Sequence, residues 1–319
     1  MTSTQLRAFA AVVRLGSVKR AAEELGVSES AISLHIRALR NELGDQLFTR
    51  TGSGLAFTPG GLRLASRAAE LLGLTDRTIR EVSQAGQGRR LLRLATSTLF
   101  AEHAAPGLIE LFASRANDLT VEMSVHRATT FDELLRERVV DAAIGPYVDR
   151  SDDAIRTLPF LKYRIVPVVA GDHPLAGRGS VDVAELRQQA WLLGPSATGR
   201  LGIVPGLVRR IGVPESRQQI FQSQEAAIAQ AKRGRGVALV VEFAAAADIE
   251  SKDLVRIPGD AFEAVGSWGI RTLAGSAAPA PASELARFVV TPRAIQAMLR
   301  GSGVTVGRFR PAIHITLWS

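Results

Sequence analysis

The chain contains no cysteine. That removes disulfides, thiolate zinc sites, iron–sulfur clusters and a thiol nucleophile at once. Histidine is scarce too. The five residues (His35, His103, His126, His173, His314) are scattered, without the spacing that holds a metal. There is no GxSxG, no GxGxxG behind a strand and no GK[ST] loop. The Gly194–Gly199 segment is too loose for a phosphate loop. An enzyme is disfavoured, and no metal or other cofactor is expected. No run of about 18 uncharged apolar residues exists, so no transmembrane helix is expected. The opening Met-Thr-Ser-Thr-Gln lacks the charged-then-apolar pattern of a signal peptide, and the expected location is the cytoplasm.

What is present is a chain of 319 residues with 46% hydrophobic content. That is enough for two or three folded domains. The net charge is +8 and the pI about 10.8. A basic balance suits an anionic partner such as DNA. An Arg-, Ala- and Gly-rich composition from a GC-rich genome gives the same excess, so location matters more. Residues 1–90 hold 13 Lys/Arg against 8 Asp/Glu, which places most of the excess in the first third.

Along that third, Leu6, Phe9, Ala10 and Val13 fall at helical spacing, and Gly16 ends the helix. Ser17 caps a second helix from Val18 to Leu25. Gly26 supplies a tight turn. Ser28 caps a third helix, from about Glu29 to Leu43, with Ile32, Ile36, Leu39 and Leu43 as its buried stripe. Ala21, Ala22 and Leu25 are expected where the helices cross, with Val27, Ile32 and Ile36 facing inward. Two strand pieces around Thr51-Gly52-Ser53-Gly54 read as a hairpin or wing. Thr58-Pro59 then starts a long helix to about residue 85. Its stripe, Leu64, Ala68, Leu71, Thr78 and Val82, fits either a partner helix or packing on its own domain.

Two short helices joined by a Gly turn let the second project into a DNA major groove. Ser28, Glu29, Ser30, Ser33 and Arg37 occupy its outer face, with His35 partly outward. Ser17, Lys19, Arg20 and the wing's Arg50 complete the candidate DNA contacts. Hydroxyls suit phosphates or base edges, and Arg37 suits a guanine or a phosphate. Each residue alone also fits an ordinary solvated face.

These residues carry a family resemblance. Gly16–Ser17, Ala21–Ala22, Leu25, Val27–Ser28, Ser33, Ile36, Leu39, Glu42–Leu43–Gly44, Leu47–Phe48, Arg50 and Thr58–Pro59–Gly60 resemble the DNA-binding signature of LysR-type transcriptional regulators. The match is dense over about fifty positions, and the layout fits over the full length. Val18 stands where the family usually has Phe, Glu29 where Gln is common, and Leu34 where a polar or basic residue is frequent. These departures bear on which DNA sequence is read.

Past the hinge at residues 84–90, strands and helices alternate, which implies βαβ units and a parallel sheet. Strands are expected at 91–97, 119–125, 142–148, 163–171, 190–194, 237–243 and 267–273, with a terminal helix over 283–301 and a further strand over 308–319. The resemblance implies an α/β protein: a winged helix-turn-helix, a long linker helix, and a two-subdomain effector domain like periplasmic binding proteins. The expected bounds are 1–58 for the DNA-binding domain, 59–88 for linker helix and hinge, and 89–303 for the effector domain. The last divides into subdomain I (90–162 and 267–303) and subdomain II (163–266), and 304–319 is an extension. Ligands of such sheets bind beyond strand C-termini. Thr96, Ser97, Thr98, Thr129, Thr130, Ser196, Thr198, Arg200 and Ser223 are the candidates there, either as contacts for a small-molecule effector, where free N–H groups, hydroxyls and one Arg suit an anion, or as plain N-caps. The resemblance further implies a homodimer or homotetramer on double-stranded DNA. The rival reading is a solute-binding protein of the same fold with no DNA role.

Overall fold

The computed structural model describes residues 1–51, 54–86, 88–149, 152–198 and 202–300. It forms two compact units, one of residues 1–89 with 133–140 and one from residue 90 onward without that segment.

The first unit opens with α1 (Ser3–Leu15), α2 (Val18–Leu25) and α3 (Glu29–Leu43). Each starts on a side-chain cap: Thr2, Ser17 and Ser28 accept from backbone N–H groups three residues on. Each ends on a left-handed glycine, Gly16, Gly26 and Gly44. A two-stranded hairpin, β1 (Phe48–Thr51) and β2 (Gly54–Phe57), follows, then α4 (Pro59–Ala85). Phe9, Val12, Ala21, Ile32, Ile36 and Leu39 form the core with Leu47 and Phe48, closed by Leu64 and Ala68 of α4. Phe48 stacks on Phe9 and meets Phe57 edge-on. Leu25, Val27 and Leu43, expected inside, are exposed. All three stand at a helix end or in the turn beyond it. Helical period marks a face but does not report where the facing element stops.

The second unit is built on a nine-stranded mixed sheet. Its elements are β3 (Arg90–Thr96), α5 (Thr98–His103), α6 (Ala105–Ala113), β4 (Leu119–Val125), β5 (Ala142–Pro146), β6 (Ile155–Ala170) and α8 (Val183–Arg187), while α7 (Phe131–Arg136), between β4 and β5, runs into the 133–140 segment grouped with the first unit. β7 (Trp191–Leu193), α9 (Ile203–Ile211), β8 (Gln218–Ile220), α10 (Gln224–Lys232), β9 (Val237–Val241) and α11 (Ala246–Glu250) follow. β10 (Leu254–Arg256), β11 (Ala264–Leu273), α12 (Ala280–Phe288) and α13 (Pro292–Arg300) complete it. The order is β4-β3-β5-β11-β6-β9-β7-β8, with β10 on β6. β4-β3-β5 and β9-β7-β8 are parallel. β11 pairs antiparallel along its whole length with Ile155–Ile165 of β6, with a register slip at Trp268/Gly269. The expected parallel sheet is therefore two parallel groups joined by one long antiparallel pair.

Side chains lock this arrangement. Tyr163 on β6 stacks on Trp268 of β11 at 4.2 Å, and Phe100 of α5 meets Trp268 edge-on at 5.2 Å. At Gly266 a Cβ would fall 2.4 Å from the Tyr163 ring, so that position needs glycine. The buried Asp141 carboxylate accepts from Arg93 N at 2.9 Å and Arg93 Nη2 at 2.7 Å, tying β3 to the start of β5.

Other expectations need correcting. The strand expected to begin at Tyr163 begins at Ile155. The helical segment through Pro106 is two helices, α5 and α6, broken at Ala104. The terminal helix is also two, because Pro292 lacks the N–H that would continue α12 and instead starts α13. The strand expected over 308–319 lies outside the described residues. Among the described residues no helix is long and apolar enough to cross a membrane.

Candidate DNA-binding and ligand-binding sites

On α3, the core side is Ile32, Ile36 and Leu39. Ser30, Ser33, Leu34 and Arg37, spaced i, i+3, i+4 and i+7, lie on the opposite face, all exposed. Leu34 is 63% exposed in the middle of that stripe. Ser28 Oγ accepts from Ala31 N and lies 2.8 Å from Ser30 Oγ, so Ser28 is partly committed as a cap. Glu29 is exposed in the first turn, where a carboxylate suits the helix dipole. His35 is half-buried, toward the core edge. On α2, Lys19 and Arg20 are exposed, while half-exposed Ser17 serves as the cap. Arg50 pairs through its backbone with Leu55 in the hairpin. Its side chain lies outside the described residues. Arg40, which sequence reasoning passed over, holds the hairpin to α3: its guanidinium donates to Phe48 O at 2.6 Å and sits over the Phe48 ring.

In the second unit the predicted residues gather in part. His126 N donates to Thr96 O, so the ends of β3 and β4 lie side by side. α5, which starts at Thr98, touches the turn Pro195–Ala197 that follows β7. The helix that Thr98 opens and the turn that holds Ser196 are thereby neighbours, and Ser97, Thr98 and Ser196 are all partly accessible. Thr96 is buried, and its hydroxyl donates back to Ser124 O at 3.4 Å. Thr130 and Thr198 donate to carbonyls three residues back, and Ser223 caps α10. Those four are occupied structurally. Thr129 is exposed on the turn before α7. Arg200 lies outside the described residues.

Apart from Ser97, sequence reasoning missed the residues with unsatisfied chemistry. Among the described residues, the buried side-chain atoms without a hydrogen-bond partner are Arg40 Nε, Ser97 Oγ, Glu102 Oε2, His103 Nε2 and Trp268 Nε1. A lone buried polar atom costs roughly 1–3 kcal/mol, so such a cluster calls for a function. Four of the five stand on α5 or against it: Ser97 precedes it, Glu102 and His103 end it, and Trp268 packs on its Phe100. Burial, helped by the nearby Glu225 charge, pushes the Glu102 carboxyl up to about 7. Burial holds His103 down to about 4, against the opposing pull of Glu225. His103 is therefore neutral at pH 7. A lone Glu-His pair on a six-residue helix carries no motif that a sequence scan would stop at.

The comparisons follow this geometry. Residues 3–62 match the model of the bacterial regulatory helix-turn-helix protein, lysR family, and residues 85–291 match the LysR substrate binding domain. An uncharacterized HTH-type transcriptional regulator of Mycobacterium tuberculosis is 55% identical, covering 100% of both chains. The RuBisCO operon transcriptional regulator of Allochromatium vinosum is 26% identical over 90% of this chain and 95% of its own. In fold, the chain is similar to ArgP from Mycobacterium tuberculosis (TM-score 0.60, 22% identity, 90% of this chain and 97% of that one). It is also similar to full-length CbnR complexed with its target DNA (TM-score 0.55, 23% identity, 90% and 99%). A solute-binding protein without a DNA role does not account for the helix-turn-helix. With a helix-turn-helix in the first unit, a mixed α/β sheet in the second and family matches across both, the chain belongs to the LysR family of DNA-binding transcriptional regulators.

Proposed function

We propose that this regulator responds to a small-molecule effector held at the α5 end of the sheet, and that it reads DNA as a dimer through α3. The observation that carries the effector reading is the group of partnerless polar atoms around α5, beside the turn after β7. A ligand arriving there would satisfy atoms that the fold leaves open. The proposed effector domain spans 89–303, with subdomain I at 90–162 and 267–303 and subdomain II at 163–266. The slip in the β6–β11 pairing at Trp268/Gly269 supports a change of subdomain there.

Direct base contact is assigned to Ser30, Ser33, Leu34 and Arg37, and backbone contact to Ser17, Lys19, Arg20 and Arg50. Dimerisation is assigned to α4. Its buried stripe of Leu64 and Ala68 continues as exposed Leu71, Leu74, Thr78 and Val82, an uncovered apolar line. Pairing there presents two α3 helices to successive major grooves. The effector domains associate further into a tetramer. To swing a promoter from 1:99 to 99:1 the effector must favour one state by about 5.5 kcal/mol.

The test is a thermal-shift screen of metabolites on the full chain, followed by DNA footprinting with each hit. A ligand that stabilises the protein and alters the footprint supports the reading. Ligands that stabilise it and leave every footprint and DNA affinity unchanged overturn it.

A further inference from the structure

A cavity of about 350 Å³ opens at the end of β3 opposite to Thr96. Arg90 begins that strand and Thr96 ends it, so the two ends lie about 20 Å apart. The volume is within the range of small-molecule sites. The cavity forms where two helices stop. α6 ends at Ala113 and α12 at Phe288. Phe112 and Phe288, both buried, meet with ring centroids 5.5 Å apart. Ala116 and Leu119, the first residue of β4, complete the apolar lining. Thr291 also lines the cavity, but its hydroxyl is engaged: it donates to Phe288 O at 2.7 Å and accepts from Ala294 N.

The charged lining is Arg90, Arg115, Arg287 and Glu284. Arg90 is committed. Its Nε donates to Asp118 Oδ2 at 2.7 Å and its Nη2 to Asp118 Oδ1 at 3.2 Å. Its Nη1 donates to the two Glu284 oxygens at 3.1 and 3.2 Å. Arg90, Asp118 and Glu284 together therefore carry one negative charge. Arg115 and Arg287 differ. Both are exposed, and among the described residues neither forms an ion pair. The Arg115 guanidinium lies over the Phe288 ring, 4.5 Å from its centroid, which holds it against the apolar lining. Arg287 stands in the last turn of α12. With these two counted, the described charges around the cavity are one positive in excess.

We propose that this cavity is a second ligand site, which takes a small molecule with an apolar body and one carboxylate, held by Arg115 and Arg287 over Phe112 and Phe288. A guanidinium fork matches a carboxylate in two parallel hydrogen bonds, and both of these forks are free of protein acceptors. The apolar lining gives the body of the ligand a place out of water. One excess positive charge suits a monoanion. A phosphate ester would bring a second negative charge toward Glu284 with no further cation to meet it, and an amine would face two unpaired guanidinium groups. The site lies at the other end of β3 from the α5 cluster and does not rest on the effector reading above.

The experiment titrates the full chain with 3-phenylpropanoate and, separately, with 3-phenylpropylamine and inorganic phosphate, reading the unfolding temperature. The expected result is a saturable rise with the carboxylate, none with the amine and a much weaker one with phosphate. Arg115→Gln and Arg287→Gln, both at exposed positions, should each weaken carboxylate binding about 10-fold, equivalent to loss of one charge-assisted hydrogen bond. Arg287→Lys keeps the charge and loses the fork, so it should recover only part of that loss. No saturable rise with the carboxylate overturns the proposal. A rise that both Gln variants leave unchanged also overturns it, because the ligand then binds elsewhere, and it leaves the effector reading standing. An equal response to inorganic phosphate overturns the need for an apolar body, and full recovery in Arg287→Lys overturns the role of the fork.

Discussion

Thr58 Oγ1 donates a 2.6 Å hydrogen bond to Asp45 Oδ1 and accepts one from Gly61 N at 2.9 Å. Asp45 Oδ1 also accepts from Leu47 N. One carboxylate thus joins the end of α3, the first hairpin strand and the cap of α4. Thr58→Ala should lower the stability of this domain by about 1 kcal/mol, and Thr58→Ser should keep most of it. Urea unfolding of the full chain, read on the helical signal, measures the difference. Equal stability of the Ala variant would remove the cap from its structural role. The Thr58 hydrogen bond holds the Asp45 carboxyl below its usual range, so this contribution persists above the carboxylate range and disappears in acid.

Leu34 stands 63% exposed in the middle of the outer face of α3. An apolar side chain in a major groove finds the thymine methyl. Leu34→Gln should therefore change the preferred base at one position per half-site by a factor of about 10, in the range of one base contact. Arg50→Ala should instead weaken all sequences alike and lessen the salt slope by about one. Binding selection on randomised DNA and a salt titration separate the two. An unchanged base preference in Leu34→Gln would put this residue outside the reading set.

Leu71 and Val82 continue the buried stripe of α4 into solvent. Leu71→Asp with Val82→Asp should dissociate the dimer, because two charges would enter an apolar seam. Sedimentation of the variant and a footprint reduced to one half-site would show it. Intact dimers in the double variant would move the interface elsewhere.

Two neighbours oppose each other in pH. Burial lowers His103, so above about 6.5 its contribution is whole, and stability falls as pH drops toward 4. Burial and Glu225 raise Glu102, so its contribution is whole below about 4.5 and is lost as pH rises toward 7. Between 4.5 and 6.5 the slopes cancel. Glu102→Gln should unmask the His103 slope, up to about 1.4 kcal/mol per pH unit, as a loss of stability on acidification. Denaturant midpoints from pH 4.5 to 6.5 test this, and parallel profiles for the variant and the parent would contradict it.

The helix-turn-helix was legible because its signals are local. Ser17, Gly26 and Ser28 act on residues within one turn, so composition and spacing suffice. Leu25, Val27 and Leu43 were misread because burial depends on what faces them. The sixteen-residue β6 was seen only from Tyr163 onward. Its first half is mostly accessible and carries Pro159, so it lacks the continuous apolar run of Val166–Ala170. The α5 cluster was hidden for a different reason. Ser97 and Thr98 could be flagged by their place after a strand, but Glu102 gains its character from burial in the folded chain and then from Glu225, more than a hundred residues away.

The long β6–β11 ladder, slipped only at Trp268/Gly269, also determines how the sensor half comes apart. β11 pairs with β6 from Ala264 to Leu273, with β5 of one parallel group on β11 and β9 of the other on β6. Neither group can melt without releasing strands that the other is using. The sensor half should therefore lose its structure in a single calorimetric transition, with no intermediate in which one lobe survives.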